Sequence, residues 1–85
     1  MHQAHNQKDY IIDKLVQEVL DLGKKEGMLP QIGDFHHIIA GVYAGMGDNK
    51  TAKRHAEQAV ERLRHYAGFD NDRTLKAADF LQGLT

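Results

Sequence analysis

A chain of 85 residues and 9.6 kDa has room for one domain, and a domain of this size buries only about 60–65% of the surface that its unfolded chain exposes. The absence of cysteine excludes a disulfide framework and a thiolate metal site. The 11 lysines and arginines stand against 12 aspartates and glutamates, a formal charge of −1, which disfavours nucleic-acid binding because such proteins usually carry a basic excess.

The hydropathy pattern disfavours a membrane location. No apolar run approaches the roughly 20 residues of a membrane-spanning helix. The N-terminus, MHQAHNQKD, lacks the charged and then apolar pattern of a signal peptide. We therefore expect a soluble protein that is cytoplasmic or otherwise intracellular.

The first predicted helix follows a polar N-terminus. Residues 1–6 show no periodicity, and we expect them to be flexible. Asn6 and Asp9 resemble a capping arrangement, and Gly27 is the expected end of the helix. Between them the apolar residues recur at the spacing of a helix with one buried stripe: Ile12, Leu15, Val16, Val19, Leu20 and Leu22.

The second predicted helix follows a connector through Pro30, and Asp34 is its expected N-cap. Glycine in a helix interior costs about 1 kcal/mol relative to alanine. Gly41 and Gly45, with Ala44 between them, therefore predict close backbone contact with a neighbouring helix. The inner face is expected to carry Phe35, Ile38, Ile39, Val42, Tyr43 and Met46.

Two further helices complete the pattern. The segment Gly47-Asp48-Asn49 is expected to end the second helix and cap a third over about residues 50–66, which Gly68 terminates. Its apolar side carries Ala52, Ala56, Ala59, Val60 and Leu63. The segment 70–72 offers caps for a fourth helix, which carries Phe80 and, at a spacing of three residues, Leu75, Ala78, Leu81 and Leu84. The sequence therefore predicts an all-α fold of four helices.

The region around the second turn resembles a tetratricopeptide repeat (TPR). The resemblance covers about 34 residues and is carried by the aromatic Tyr43, the Gly47-Asp48 turn and small residues at Ala40, Ala52, Ala56 and Ala59. His36 and Arg64 depart from the family, which often has tryptophan and proline there. The resemblance implies a four-helix TPR-like array built on an antiparallel helical hairpin, with residues 7–85 as a single domain.

Two similarities extend beyond the hairpin. The stretch AGFDNDRTLKAADFLQGL is similar to the links of kinesin-light-chain-type repeats. The run from Gly47 to Leu84 resembles the C-terminal helical tail of fungal SET-domain proteins, a family of lysine methyltransferases. No catalytic SET motif is present, so this resemblance implies an accessory segment without a methyltransferase site.

The titratable residues predict no catalytic or metal site. Six histidines invite a metal hypothesis, but no spacing supplies three ligands, although His55 is placed to approach His36 across the hairpin. His55 and His65 are most simply solvated. The acidic residues have ready explanations as helix caps, and no glycine-rich phosphate loop is present. We expect neither enzymatic activity nor a cofactor.

The sequence therefore predicts a non-catalytic protein–protein interaction module, in which a peptide or partner helix lies between the first helix and the hairpin. The candidate contact residues, taken as exposed, are His36, His37, Lys53, Arg54 and Glu57. One alternative is the accessory tail of a SET-type methyltransferase. Another is a homodimerisation domain that packs through Gly41, Ala44 and Gly45.

Overall fold

The structure, a computed structural model, describes the backbone of residues 3–84 and the side chains of residues 10–84. This part of the chain forms four α-helices and no strand, which confirms the all-α prediction. The helices are α1 (Gln3–Lys25), α2 (Leu29–Gly45), α3 (Asn49–Ala67) and α4 (Asp72–Leu84). The predicted flexible N-terminus falls partly on Met1 and His2, which lie outside the described residues. α1 begins earlier than the capping pattern at Asn6 indicates.

The helices form a layer in which each packs mainly against its neighbours in the sequence. α2 and α3 share the most extensive interface, α4 covers α3, and α1 makes a smaller contact with α2. The molecule measures 44 × 32 × 12 Å along its principal axes, and its smallest dimension is close to the diameter of one helix. The layer is therefore one helix thick, and the sides of α2 and α3 that face away from neighbouring helices are open to solvent.

The turn between α2 and α3 has the predicted structure. Gly47 adopts φ +85°, and the amide of Asp48 donates to the carbonyl of Tyr43 at 2.9 Å, so the last carbonyls of α2 are satisfied. Asp48 then caps α3, since its carboxylate accepts a hydrogen bond of 3.1 Å from the amide of Thr51. This hydrogen bond also lowers the pKa of Asp48. The predicted stops at Gly27 and Gly68 are likewise confirmed.

The predicted start of α2 is wrong. The helix begins at Leu29, and Pro30 lies in its first turn, where the missing N–H has no intrahelical partner to lose. Asp34 is therefore inside the helix and is not its N-cap. Its carboxylate instead accepts a hydrogen bond from Arg73 Nη1 of α4 at 2.6 Å, an ion pair between distant segments.

The buried core contains fewer large residues than the sequence predicts. Ile32 and Leu63 are the largest side chains that are fully buried. The apolar residues below 9% exposure are Leu20, Ile32, Ile39, Ala40, Tyr43, Ala52, Ala56, Ala59, Leu63 and Ala77. The predicted apolar side of α3 is confirmed, because alanines at 52, 56 and 59 let α3 pack closely against its neighbours.

Several predicted core positions are exposed because a single layer leaves one side of each helix uncovered. Ile38 and Val42 of α2 are 67% and 45% exposed. Of the apolar side chains predicted to form the buried stripe of α1, Leu20 is buried, while Leu15, Val19 and Leu22 are about half exposed. On α4 the buried residues are Thr74 and Ala77, whereas Leu75 is 50% exposed and Leu84 is half-buried against the core.

The glycines that permit close helix packing are not the predicted ones. A Cβ atom on Gly33 would lie 2.9 Å from Leu63 Cγ and 3.1 Å from the Leu63 backbone nitrogen, so α2 touches α3 there. Gly23 lies similarly close to Ile32, at 2.9 Å from its Cδ1 atom, and brings α1 against α2. Gly41 and Gly45 have no such neighbour within 4 Å. The prediction of close contact at these two positions is wrong within the chain.

The contrast between Gly33 and Gly41 predicts opposite effects of the same substitution. Gly33→Ala should lower the free energy of unfolding by about 1–3 kcal/mol, because the new methyl group overlaps the α3 backbone. Gly41→Ala should raise it by about 0.5–1 kcal/mol, because the site is open and alanine favours the helix. Urea denaturation at low protein concentration measures both. Equal changes in the two variants would contradict the packing described.

Candidate functional site

The five predicted contact residues differ in how exposed their side chains are. His36 is 7% exposed, so the expectation that it is an exposed contact residue is wrong. His37 is half-buried, with its ring 5.5 Å from that of Phe80 on α4. The remaining three, on α3, are exposed as expected: Lys53, Arg54 and Glu57.

His36 and His55 form a hydrogen-bonded pair across the α2–α3 interface. Their Nδ1 atoms lie 2.9 Å apart, and the rings stack with centroids 5.1 Å apart. One Nδ1 must carry a proton and donate while the other accepts, so the two neutral rings are in different tautomers. The predicted approach of these two histidines is confirmed, whereas the expectation that His55 is simply solvated is wrong because it is only half exposed.

Tyr43 extends this pair to α1. Its ring stacks on that of His55 at 5.5 Å with an angle of 3° between the planes. Its hydroxyl donates a short hydrogen bond to the carboxylate of Asp13. The four residues Asp13, His36, Tyr43 and His55, here named the polar cluster, therefore connect α1, α2 and α3.

The polar cluster favours neutral histidines. Burial lowers the pKa of His36 to about 4, and the nearby positive groups of His55, Arg62 and Lys24 act in the same direction. The pKa of His55 is also lowered, chiefly by burial and then by Arg54, although Asp13 opposes the shift. Both rings are therefore neutral at pH 7, and their mutual hydrogen bond requires that the Nδ1 atom of the accepting ring carry no proton.

Two concavities lie beside the polar cluster. One of about 410 Å³ is lined by His36, Arg54, His55, Glu57 and Gln58. A second of about 200 Å³ is lined by Asp13, Val16, Gln17, Tyr43, Thr51, Arg54 and His55. Three of the predicted residues thus meet at the first concavity: His36, Arg54 and Glu57. Within the described residues no group of three or more histidine and acidic side chains is arranged to hold a metal ion.

An apolar surface lies between α1 and α2. It is an open groove of about 420 Å³, here named the apolar groove, and all of its lining side chains are hydrocarbon or aromatic: Ile12, Leu15, Val16, Val19, Phe35, Ile38, Ile39 and Val42. The sequence predicts a peptide or partner helix between the first helix and the hairpin, but it assigns the residues that line this groove to the core. The sequence feature that could have revealed their exposure is the width of the apolar stripes on α1 and α2. Each stripe is wider than the surface that one neighbouring helix covers.

Comparison of the chain with protein-family models, with curated proteins and with solved structures finds no match. The resemblance to the TPR family therefore rests on this chain's own residues. Among the described helices, none has the combination of length and apolar character that crossing a bilayer requires.

The low pKa of His36 predicts that acid destabilises the fold. Between about pH 6.5 and pH 4 the unfolded chain binds a proton that the folded chain does not, so stability is retained above this window and falls as the pH drops through it. The free energy of unfolding should decrease by up to about 3 kcal/mol. Urea titrations at pH 7, 5.5 and 4 measure it.

Matched variants assign this acid effect to the histidine pair. His36→Leu should flatten the pH dependence, whereas His65→Leu, at an exposed position of α3, should leave it unchanged. An unaltered slope in His36→Leu would show that other groups cause the loss.

The hydrogen bond between Tyr43 and Asp13 predicts that α1 is held by a polar contact. Tyr43→Phe should lower the free energy of unfolding by about 1–3 kcal/mol, since the acceptor is a charged carboxylate. Amide hydrogen exchange should accelerate chiefly in α1. Tyr66→Phe on α3 is the control. Combination with Asp13→Ala should be non-additive, and strict additivity would mean that the two side chains act separately.

Proposed function

We propose that this chain is a non-catalytic protein–protein interaction module, a TPR-like helical scaffold whose apolar groove binds an amphipathic helix. The observation that carries this proposal is the groove itself. Its exposed walls include Leu15, Val19 and Ile38, which are 55%, 48% and 67% exposed. Monomeric proteins rarely leave large contiguous apolar patches open to water, and such patches commonly mark interaction sites.

The chemistry of the groove favours a helix over a small molecule. Small-molecule sites usually combine apolar walls with a few polar groups that orient the ligand. The eight side chains that line this groove include no such group. A helix needs none, because its backbone hydrogen bonds are internal and its apolar residues at i, i+3, i+4 and i+7 can all enter one groove.

The contacts between α2 and α3 support the TPR-like reading. Gly33, near the start of α2, lies against Leu63 near the end of α3. Tyr43, near the end of α2, stacks on His55 in the first half of α3. This pattern is typical of an antiparallel hairpin. The buried alanines at 52, 56 and 59 occupy the small-residue positions that the resemblance implies.

The polar cluster supports a structural role, which agrees with a non-catalytic module. Its titratable groups are directed at one another: His36 and His55 share a hydrogen bond, and Tyr43 donates to Asp13. Because Asp13 is on α1, this contact also fixes the helix that forms one wall of the apolar groove. We assign the exposed charges of Lys53, Arg54 and Glu57 to a secondary contact surface.

Selection of helical peptides tests this function. Peptides selected on the immobilised protein should carry apolar residues at helical spacing. Ile38→Asp should weaken their binding by at least about tenfold, because an uncompensated charge would be buried. Leu75→Asp on α4, also at an exposed aliphatic residue but away from the groove, should leave binding unchanged.

Binding through the charged surface of α3 is the outcome that would contradict the proposal. If Lys53→Ala with Arg54→Ala abolished binding while Ile38→Asp did not, the site would lie on α3 and the groove assignment would be wrong. A weaker salt dependence of binding in either single variant, Lys53→Ala or Arg54→Ala, would identify that basic side chain as a contact.

A further inference from the structure

We propose that the helix that occupies the apolar groove belongs to a second copy of this chain, in a two-fold symmetric dimer. This inference rests on the proposed function of the groove and names its occupant. Four observations carry it: an exposed glycine-containing stripe on α2, an exposed apolar ridge on α1, mixed charges beside that ridge, and excess accessible surface.

The first observation is the stripe on α2. Ile38, Gly41, Val42 and Gly45 follow one another at i, i+3, i+4 and i+7, so they share one side of the helix. Ile38 and Val42 are exposed, and nothing lies within 4 Å of a Cβ atom placed on either glycine. Each glycine weakens the helix by about 1 kcal/mol relative to alanine. No contact among the described residues offsets this cost, whereas a second helix could approach closely over the glycines.

The second observation is a ridge of apolar side chains on α1, whose spacing is suited to packing in a groove between two helices. Ile12, Leu15, Val19 and Leu22 are spaced by three, four and three residues, the spacing of a seam between two helices. Leu15, Val19 and Leu22 remain 48–58% exposed after α1 has packed on α2. Ile12, Leu15 and Val19 also form one wall of the apolar groove, so the same face of α1 would line the groove of its own chain and enter that of the second copy. A two-fold axis allows each copy to supply both parts.

Charges beside the ridge allow self-association. The polar positions of α1 carry both signs, with Lys14 and Lys25 against Glu18 and Asp21. A partner of one strong sign would find no complementary field here. A second copy brings the same mixed set, and the chain's formal charge of −1 gives little repulsion between copies.

The accessible surface of the chain agrees with a missing neighbour. It is 5757 Å², whereas a compact monomer of this mass is expected to expose about 5,100 Å². The difference, roughly 650 Å², is comparable with the ~800 Å² that each partner contributes to a standard interface. The flat shape thus exposes more surface than a compact monomer of this mass.

Ala44 is not part of the proposed interface. It is half-buried and packs against the core, so enlarging it would disturb the monomer. Gly41 is the better position for a test, because its surroundings are open.

Molar mass by light scattering over a concentration series tests the proposal. The wild-type mass should rise towards twice the chain mass of 9.6 kDa. Ile38→Glu and Gly41→Leu should each raise the dimer dissociation constant by at least about tenfold. Leu75→Glu on α4 is the matched control and should dimerise as the wild type does. Circular dichroism verifies helicity, and Val19→Glu on α1 replaces any variant that unfolds.

Each outcome is decisive. A wild-type chain that stays monomeric throughout the series overturns the proposal, as does a dimer that persists in the Ile38 and Gly41 variants. The peptide selection separates this failure from that of the groove. If the monomeric chain binds helical peptides and Ile38→Asp abolishes this binding, the groove serves a helix from another protein. If no such peptide binds, the proposed function fails as well.

Discussion

The close packing of α2 against α3 is the constraint on which the rest of the structure depends. It is possible because Gly33 brings the α2 backbone against Leu63, and because alanines fill the α3 side of the contact. Once these two helices are joined by the short turn at Gly47, α4 can pack on α3 and α1 on α2. The result is a thin layer, and a thin layer leaves apolar surface exposed on its outer helices.

The polar cluster and the apolar groove are physically connected through α1. This helix makes the smaller interhelical contact, through Leu20, Gly23 and the hydrogen bond from Tyr43 to Asp13. The same helix supplies one wall of the groove. The geometry of the groove therefore depends on a hydrogen bond whose donor stacks on His55. The His36–His55 hydrogen bond needs an unprotonated Nδ1 on the accepting ring, so protonation of both rings would break the contact beside the Tyr43 ring.

Local features were predictable wherever the cause lies within a few residues. The Gly47 turn, the Asp48 cap and the Gly27 stop depend on backbone conformations that neighbouring side chains determine. The start of α2 was not predictable, because proline is compatible both with a connector and with the first turn of a helix. Asp34 similarly suits an N-cap or an exposed ion pair, and only the position of Arg73 on α4 decides between them.

The sequence by itself determined that the chain is all-α, where three of its turns fall and which side of α3 is buried, because periodicity and glycine placement act locally. Only the tertiary structure decided which glycines are contacts and which apolar residues line a groove. Gly33 and Gly41 are equivalent in sequence terms, as are Ile38 and Ile39. They differ because one of each pair faces a neighbouring helix while the other faces solvent, and that depends on how the helices pack.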